Sequence, residues 1–240
     1  MSLLLILTAH LIADFFLQSA GWAQKKTQKF RYLVGHALVY AAVLAITMFL
    51  CIPADVAWTP FAIIAGSHFL IDWIRVVLDK KYKTPAAHFA SFIVDQILHI
   101  SIIVVLVYIF GLNTQNNRWL SELASGAPVE QILRYVLLFA IVLDPASVFV
   151  KKLSLYVSNS VNTTTSKKEL PVGSVIGKLE RIIIAVLTIY GEIGAIGFVL
   201  AAKSLARYSK LDKDPDFAEK YLVGTLSSAA IAIIAALLLK

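Results

Sequence analysis

The stretch Phe61-Ala62-Ile63-Ile64-Ala65-Gly66-Ser67-His68-Phe69-Leu70-Ile71-Asp72 sets two ionisable residues inside an otherwise apolar run. The run, read from 60 to 78, has the roughly 20 residues that a helix needs to cross a bilayer. His68 and Asp72 are four residues apart, so a helix presents both on one face. The pattern occurs twice more, as His10 with Asp14 and as Asp95 with His99. Ionisable groups inside a membrane span are expensive and mark functional sites by default.

Composition supports the membrane reading. Of 240 residues, 59% are hydrophobic, and the mean hydropathy is +0.78. Soluble domains average about 45–50% apolar. Apolar runs predict helices over 3–20, 32–52, 60–78, 89–110, 132–150, 179–202 and 221–239. The fold class expected is therefore all-α, a polytopic transmembrane bundle of about six or seven spans. Residues 1–110 hold four of them, and 111–240 hold the C-terminal helices of the same membrane domain. The first run, Ser2 to Phe16, lacks a basic leader and carries His10 and Asp14, so it is expected to be a retained helix. The single cysteine, Cys51, excludes an intrachain disulfide.

The net charge of +7 comes from Lys and Arg between the apolar runs. Basic residues cluster at Lys25, Lys26, Lys29 and Arg31, at Lys80, Lys81 and Lys83, and at Lys151, Lys152, Lys167, Lys168 and Lys178. The intervening loops carry only Arg118. The positive-inside rule puts the N-terminus outside and the basic loops in the cytoplasm of a bacterial inner membrane. No basic patch interleaves with aromatics, and nucleic acid is not an expected partner. Membrane lipids are. The basic stretch 203–220 conflicts with an outside location, and a re-entrant form of 179–202, broken at Gly191, Gly194 or Gly197, resolves it. A closely packed helix with a small-residue face is the alternative. The polar stretch Ser158 to Ser166 reads as a loop.

Depth strengthens the His/Asp pattern. Asp14, Asp72 and Asp95 each lie about six residues, roughly 9 Å, from the cytoplasmic end of their helix, with their histidines one turn deeper. The order is His-x-x-x-Asp in two helices that run inward and Asp-x-x-x-His in the one that runs outward, as one shared layer requires. His36 enters the second helix at a similar level. The set His10, Asp14, His36, His68, Asp72, Asp95 and His99 suits a divalent metal, zinc first and iron or manganese next, as one or two ions. Asp14, Asp72 and Asp95 are the candidate catalytic bases. Gln18, Tyr40 and Gln96 lie near the same faces. His–Asp hydrogen bonds between helices, or a path for protons or ions, are the competing readings. Farther on, Lys178, Arg181, Lys203 and Arg207 form a second polar cluster, read as a site for an anionic head group or phosphoester. Interfacial snorkelling is the alternative there. Asp144-Pro145 marks a kink.

The motifs Ala9-His10-Leu11-Ile12-Ala13-Asp14, Gly35-His36-Ala37, Ser67-His68-Phe69-Leu70-Ile71-Asp72 and Asp95-Gln96-Ile97-Leu98-His99 resemble an uncharacterised family of bacterial inner-membrane proteins with a domain of unknown function. Ile176 to Arg181, Ala201 to Arg207 and Leu222 to Leu226 resemble its longer members. The family brings no activity with it. More weakly, the His-x-x-x-Asp pairs look like those of membrane-bound metal-dependent hydrolases, which implies metal-assisted hydrolysis of a lipid-like or phosphoester substrate. A cation or proton transporter and an accessory membrane protein are the other expectations. Oligomeric state is left open.

Overall fold

The computed structural model describes residues 1–115, 117–158 and 172–240, and every regular element among them is helical. Lys167, Lys168 and most of the polar stretch 158–166 lie outside the described residues. The chain divides into two compact units, Met1–Leu137 and Leu138–Lys240.

In the first unit, α1 (Ser2–Leu11) runs on as a π-helical turn over Ile12–Phe16. The short α2 (Ala20–Gln28) follows after a bend of 83°. Then come α3 (Phe30–Cys51), α4 (Ala54–Lys81), α5 (Pro85–Ile109), the short α6 (Arg118–Gly126) and the start of α7 (Val129–Val157). Local chemistry fixes the turns. Thr84 caps α5 by accepting from the Ala87 N–H, with Pro85 in the first turn where its missing N–H costs nothing. Gly111 takes a φ of 59° just after α5, a left-handed conformation that glycine adopts freely.

Four helices close a ring: α1 packs on α3 and α5, α3 on α4, and α4 on α5. One end of the ring interior is apolar, built from Ile6, Leu44, Met48, Ile64, Ile103 and Val107. The outer faces are apolar too, with Leu38, Ile46, Trp58, Trp73, Val94 and Ile109 exposed. A helix that is apolar all round and still exposes large side chains belongs in lipid.

In the second unit, the rest of α7 is followed by α8 (Val172–Tyr190), α9 (Ile193–Leu205), α10 (Tyr208–Lys213) and α11 (Pro215–Leu239). Asp214 caps α11 by accepting from the Phe217 N–H. The α11 helix lies on α8 and buries Thr225, Ser228, Ala229, Ala232 and Ala236, small residues that let two helices approach closely. Pro145 lies within α7.

The chain is an all-α polytopic membrane protein. Five of the described helices are long and apolar enough to cross a bilayer, namely α3, α4, α5, α7 and α11, and the bent pair of α1 and α2, a broken span or a re-entrant loop, brings the number to six if it is counted as one span. Two expected spans change form. The run 3–20 ends at Phe16, and its continuation turns away as α2. The run 179–202 is cut at Gly191, whose φ of 82° stops α8. The 13 residues of α9 extend only about 20 Å, short of a hydrocarbon core of about 30 Å.

Candidate metal centre

The ring of α1, α3, α4 and α5 gathers all seven predicted residues into one polar layer. His10 comes from α1, Asp14 from the π-helical turn, His36 from α3, His68 and Asp72 from α4, and Asp95 and His99 from α5. All seven are between 1% and 8% exposed, so water does not solvate them. The Asp14 turn is itself informative. Single π-helical turns are rare and frequent at functional sites, because the extra residue re-aims a side chain.

Four of the seven converge more tightly. One donor atom from each of Asp14, His36, His68 and Asp72 lies within 4.8 Å of all the others. His36 Nε2 is 3.2 Å from Asp14 Oδ1 and 3.3 Å from Asp72 Oδ2, aligned as a hydrogen bond with neither. His68 Nε2 is 3.9 Å from Asp14 Oδ1. Tetrahedral zinc with bonds of about 2.0–2.2 Å needs ligand atoms about 3.3–3.6 Å apart. The two His36 distances are close to that spacing, and the widest separation in the quartet, within 4.8 Å, exceeds it by little more than 1 Å.

The other three residues form an adjoining half. The rings of His68 and His99 stack with centroids 4.3 Å apart, and Tyr40 lies on His68 at 3.5 Å. Tyr40 Oη is 3.2 Å from His10 Nδ1. Gln96 Nε2 joins the halves, donating to Asp14 Oδ2 and Asp95 Oδ2 at 3.0 Å each. His10 Nε2, both ring nitrogens of His68 and of His99, and Asp95 Oδ1 are buried without a hydrogen-bond partner. Each such buried orphan costs about 1–3 kcal/mol. Several in one layer fit a ligand set for a metal, and fit poorly with His–Asp pairs that merely tie helices together.

Two cations complete the layer, and sequence reasoning placed neither there. Lys26 of α2 is buried and donates to both oxygens of Asp72, at 3.0 and 2.9 Å. Arg75 of α4 donates to Asp95 Oδ2 at 2.9 Å. Lys26 read as one of a basic loop. Its inward reach depends on α2 lying close to α3, where Trp22 donates to the Tyr32 carbonyl and its ring lies against Gly35. A Cβ at Gly35 meets Trp22 at 3.1 Å. Arg75 was legible, being a charge inside an apolar run. With both cations and neutral imidazoles, the three carboxylates leave a net charge of −1, which a divalent ion over-compensates.

Of the other candidates, Gln18 Nε2 is buried without a partner. His88, the one histidine outside the layer, pairs with Asp79 at 3.1 Å. The second polar cluster turns inward. Lys178 pairs with Asp144. Arg181 is 3% exposed and donates to the carbonyls of Val142 and Leu143 and to the hydroxyls of Ser147 and Ser228. Lys203 pairs with Glu180 and Thr225. Arg207 is exposed. Three of the four cations expected to hold an anion are spent on the unit's own carboxylates, carbonyls and hydroxyls.

The family described as Protein of unknown function (DUF3307) matches residues 2–125, slightly more than half of the chain. The match covers every residue of the His/Asp layer and stops before the resemblances at 176–181, 201–207 and 222–226. No curated protein and no solved structure matches the chain, so the weaker likeness to membrane-bound hydrolases finds no support there. The chain belongs to the DUF3307 family.

Proposed function

We propose that this family member is a metal-dependent hydrolase of the bacterial inner membrane, acting on a lipid-like or phosphoester bond at the cytoplasmic leaflet. The observation that carries the reading is the buried quartet of Asp14, His36, His68 and Asp72, whose donor atoms converge from the π-helical turn, α3 and α4. Two imidazoles and two carboxylates are the donor set of zinc, with iron or manganese next. An ion held there supplies Lewis acidity and a nucleophile at neutral pH.

The chain's own residues divide the remaining work. Asp95 stays outside the quartet, and its Oδ1 has no hydrogen-bond partner, so it is the carboxylate free to accept a proton. Arg75 and Gln96 hold its other oxygen and fix where the free one points. The stack of Tyr40, His68 and His99 fills the layer and limits access by water. The positive-inside argument supports an N-terminus outside and the layer on the cytoplasmic side.

A cation or proton transporter would use the same groups transiently. The apolar end of the ring, with Ile6, Leu44, Met48, Ile64 and Ile103 buried, favours the hydrolase, since an ion crossing it would pass a largely hydrocarbon interior. An accessory protein without chemistry would not need the orphaned nitrogens. The test is metal content by inductively coupled plasma mass spectrometry on detergent-purified protein, wild type against His68→Ala and Asp72→Ala. One or two equivalents of zinc, iron or manganese, lost in both variants, is the expected result and justifies a phospholipid and phosphoester screen. No metal in the wild type after reconstitution refutes the reading.

A further inference from the structure

A groove of about 310 Å³ runs between α4 and α5. Its sides are Ile74, Leu78, Val94 and Leu98, all of them substantially exposed on the outer face of the ring. Its inner wall is polar: Arg75 and Asp95, joined to each other, with Asp79 and Ser91 hydrogen-bonded beside them. The groove therefore opens to lipid on one side and ends on the other at Asp95, one turn from His99 on α5. Tyr82 lines the end next to the α4–α5 turn. That turn carries Lys80, Lys81 and Lys83, all exposed, with the Lys81 ammonium 5.3 Å from the Tyr82 ring.

We infer that this groove is a binding site for one acyl chain of an anionic membrane lipid, its head group held by Lys80, Lys81 and Lys83. Size and charge choose the occupant. The volume is at the low end for ligand pockets and too small to take in a partner helix about 10 Å across. The sides are hydrocarbon, as a chain requires, and the Arg75 and Asp95 charges behind them are paired with each other. Arg75, Asp79 and Asp95 are the charged residues that line the groove, and Lys80, Lys81, Lys83 and His88 neighbour its Tyr82 end along the chain. Asp79 is already engaged by His88 and Ser91 and lies 3.9 Å from Arg75, which leaves the lysines as the free charge. Lysines at a membrane surface favour anionic lipid by about fivefold each. A head group at the α4–α5 turn leaves the acyl chain running past Arg75 and Asp95, so hydrolysis of its ester requires the lipid to slide along the groove toward the polar layer. This last consequence rests on the proposed hydrolase, whereas the binding does not.

The test uses the full chain in nanodiscs with phosphatidylglycerol or phosphatidylcholine carrying the same diazirine acyl chain, with adducts mapped by tandem mass spectrometry. Adducts are expected on 71–98, at least tenfold more from phosphatidylglycerol. Replacing Lys80, Lys81 and Lys83 together by Gln removes the preference, and Val94→Trp removes the groove adducts. Far-UV circular dichroism and thermal unfolding, measured on each variant, report whether the ring stays folded, and metal content is measured separately. Equal labelling by both lipids, or adducts spread evenly over Leu38, Ile46 and Trp58, overturns the inference. Selective labelling of a protein that never binds metal refutes the hydrolase and leaves the lipid site standing. Metal without selective labelling does the reverse.

Discussion

Lys26 is the group that an incoming ion displaces. Its ammonium holds Asp72 Oδ2 at 2.9 Å, and an ion bonded to that oxygen at about 2.1 Å lies no more than about 5 Å from Nζ. Charges of +2 and +1 at that separation repel by about 7 kcal/mol at an effective dielectric of about 20. The two do not coexist, so loading the site swings Lys26 off Asp72. Breaking a buried ion pair costs about 3–5 kcal/mol. Lys26→Met keeps the apolar stem, removes the ammonium and relieves the ion of that cost. Zinc should then bind between about a hundredfold and three-thousandfold more tightly, at 1.4 kcal/mol per decade. The assay is competition with a chromophoric chelator, in detergent at fixed pH and salt. The zinc-free variant should melt lower than wild type, because Asp72 has lost its partner, and zinc should raise its melting temperature more than it raises that of wild type. Binding that is unchanged or weaker in Lys26→Met refutes the competition, and with it the assignment of Asp72 to the ion.

Three further variants separate the roles in the layer. His99→Ala should keep its metal within about tenfold of the wild-type affinity while His68→Ala loses it, because only His68 is in the quartet; equal loss in metal titrations means that the site extends across both halves. Gly35→Val drives a side chain into Trp22, pushes α2 off α3 and should reproduce Lys26→Met in weaker form, read by the same chelator competition. Arg181→Met removes the hydrogen bonds to two backbone carbonyls and two hydroxyls, of which the Leu143 carbonyl keeps the Ser147 hydroxyl as a donor, and should destabilise the protein by about 3 kcal/mol, seen as a lower thermal unfolding temperature with metal content unchanged. A stable Arg181→Met variant would remove the packing role argued for this residue.

What was legible in the sequence depended on whether partners share a helix. His68 and Asp72 could be read together because a spacing of four fixes their common face, and the reversed order in Asp95 and His99 followed from chain direction alone. Partners on different segments leave no such trace. Lys26 and Asp72 are 46 residues apart, Arg75 and Asp95 are 20 apart, and Lys203 and Glu180 are 23 apart. No local period links them. The cations Lys178, Arg181 and Lys203 therefore looked available for an anion, when Asp144, Glu180 and the hydroxyls of other helices had already taken them. Among Gly191, Gly194 and Gly197 only Gly191 takes a positive φ, while the other two lie inside α9, a difference that three closely spaced glycines do not show in the sequence. The π-helical turn at Asp14 is hidden for the same reason, since an inserted residue changes the face without changing the composition. One physical rule covers these cases. A charge placed in an apolar run must find a partner, and it takes that partner from whichever segment the fold brings near. Spacing on one helix therefore locates a buried polar layer, while only the packing of helices decides which of its members are free to bind an ion.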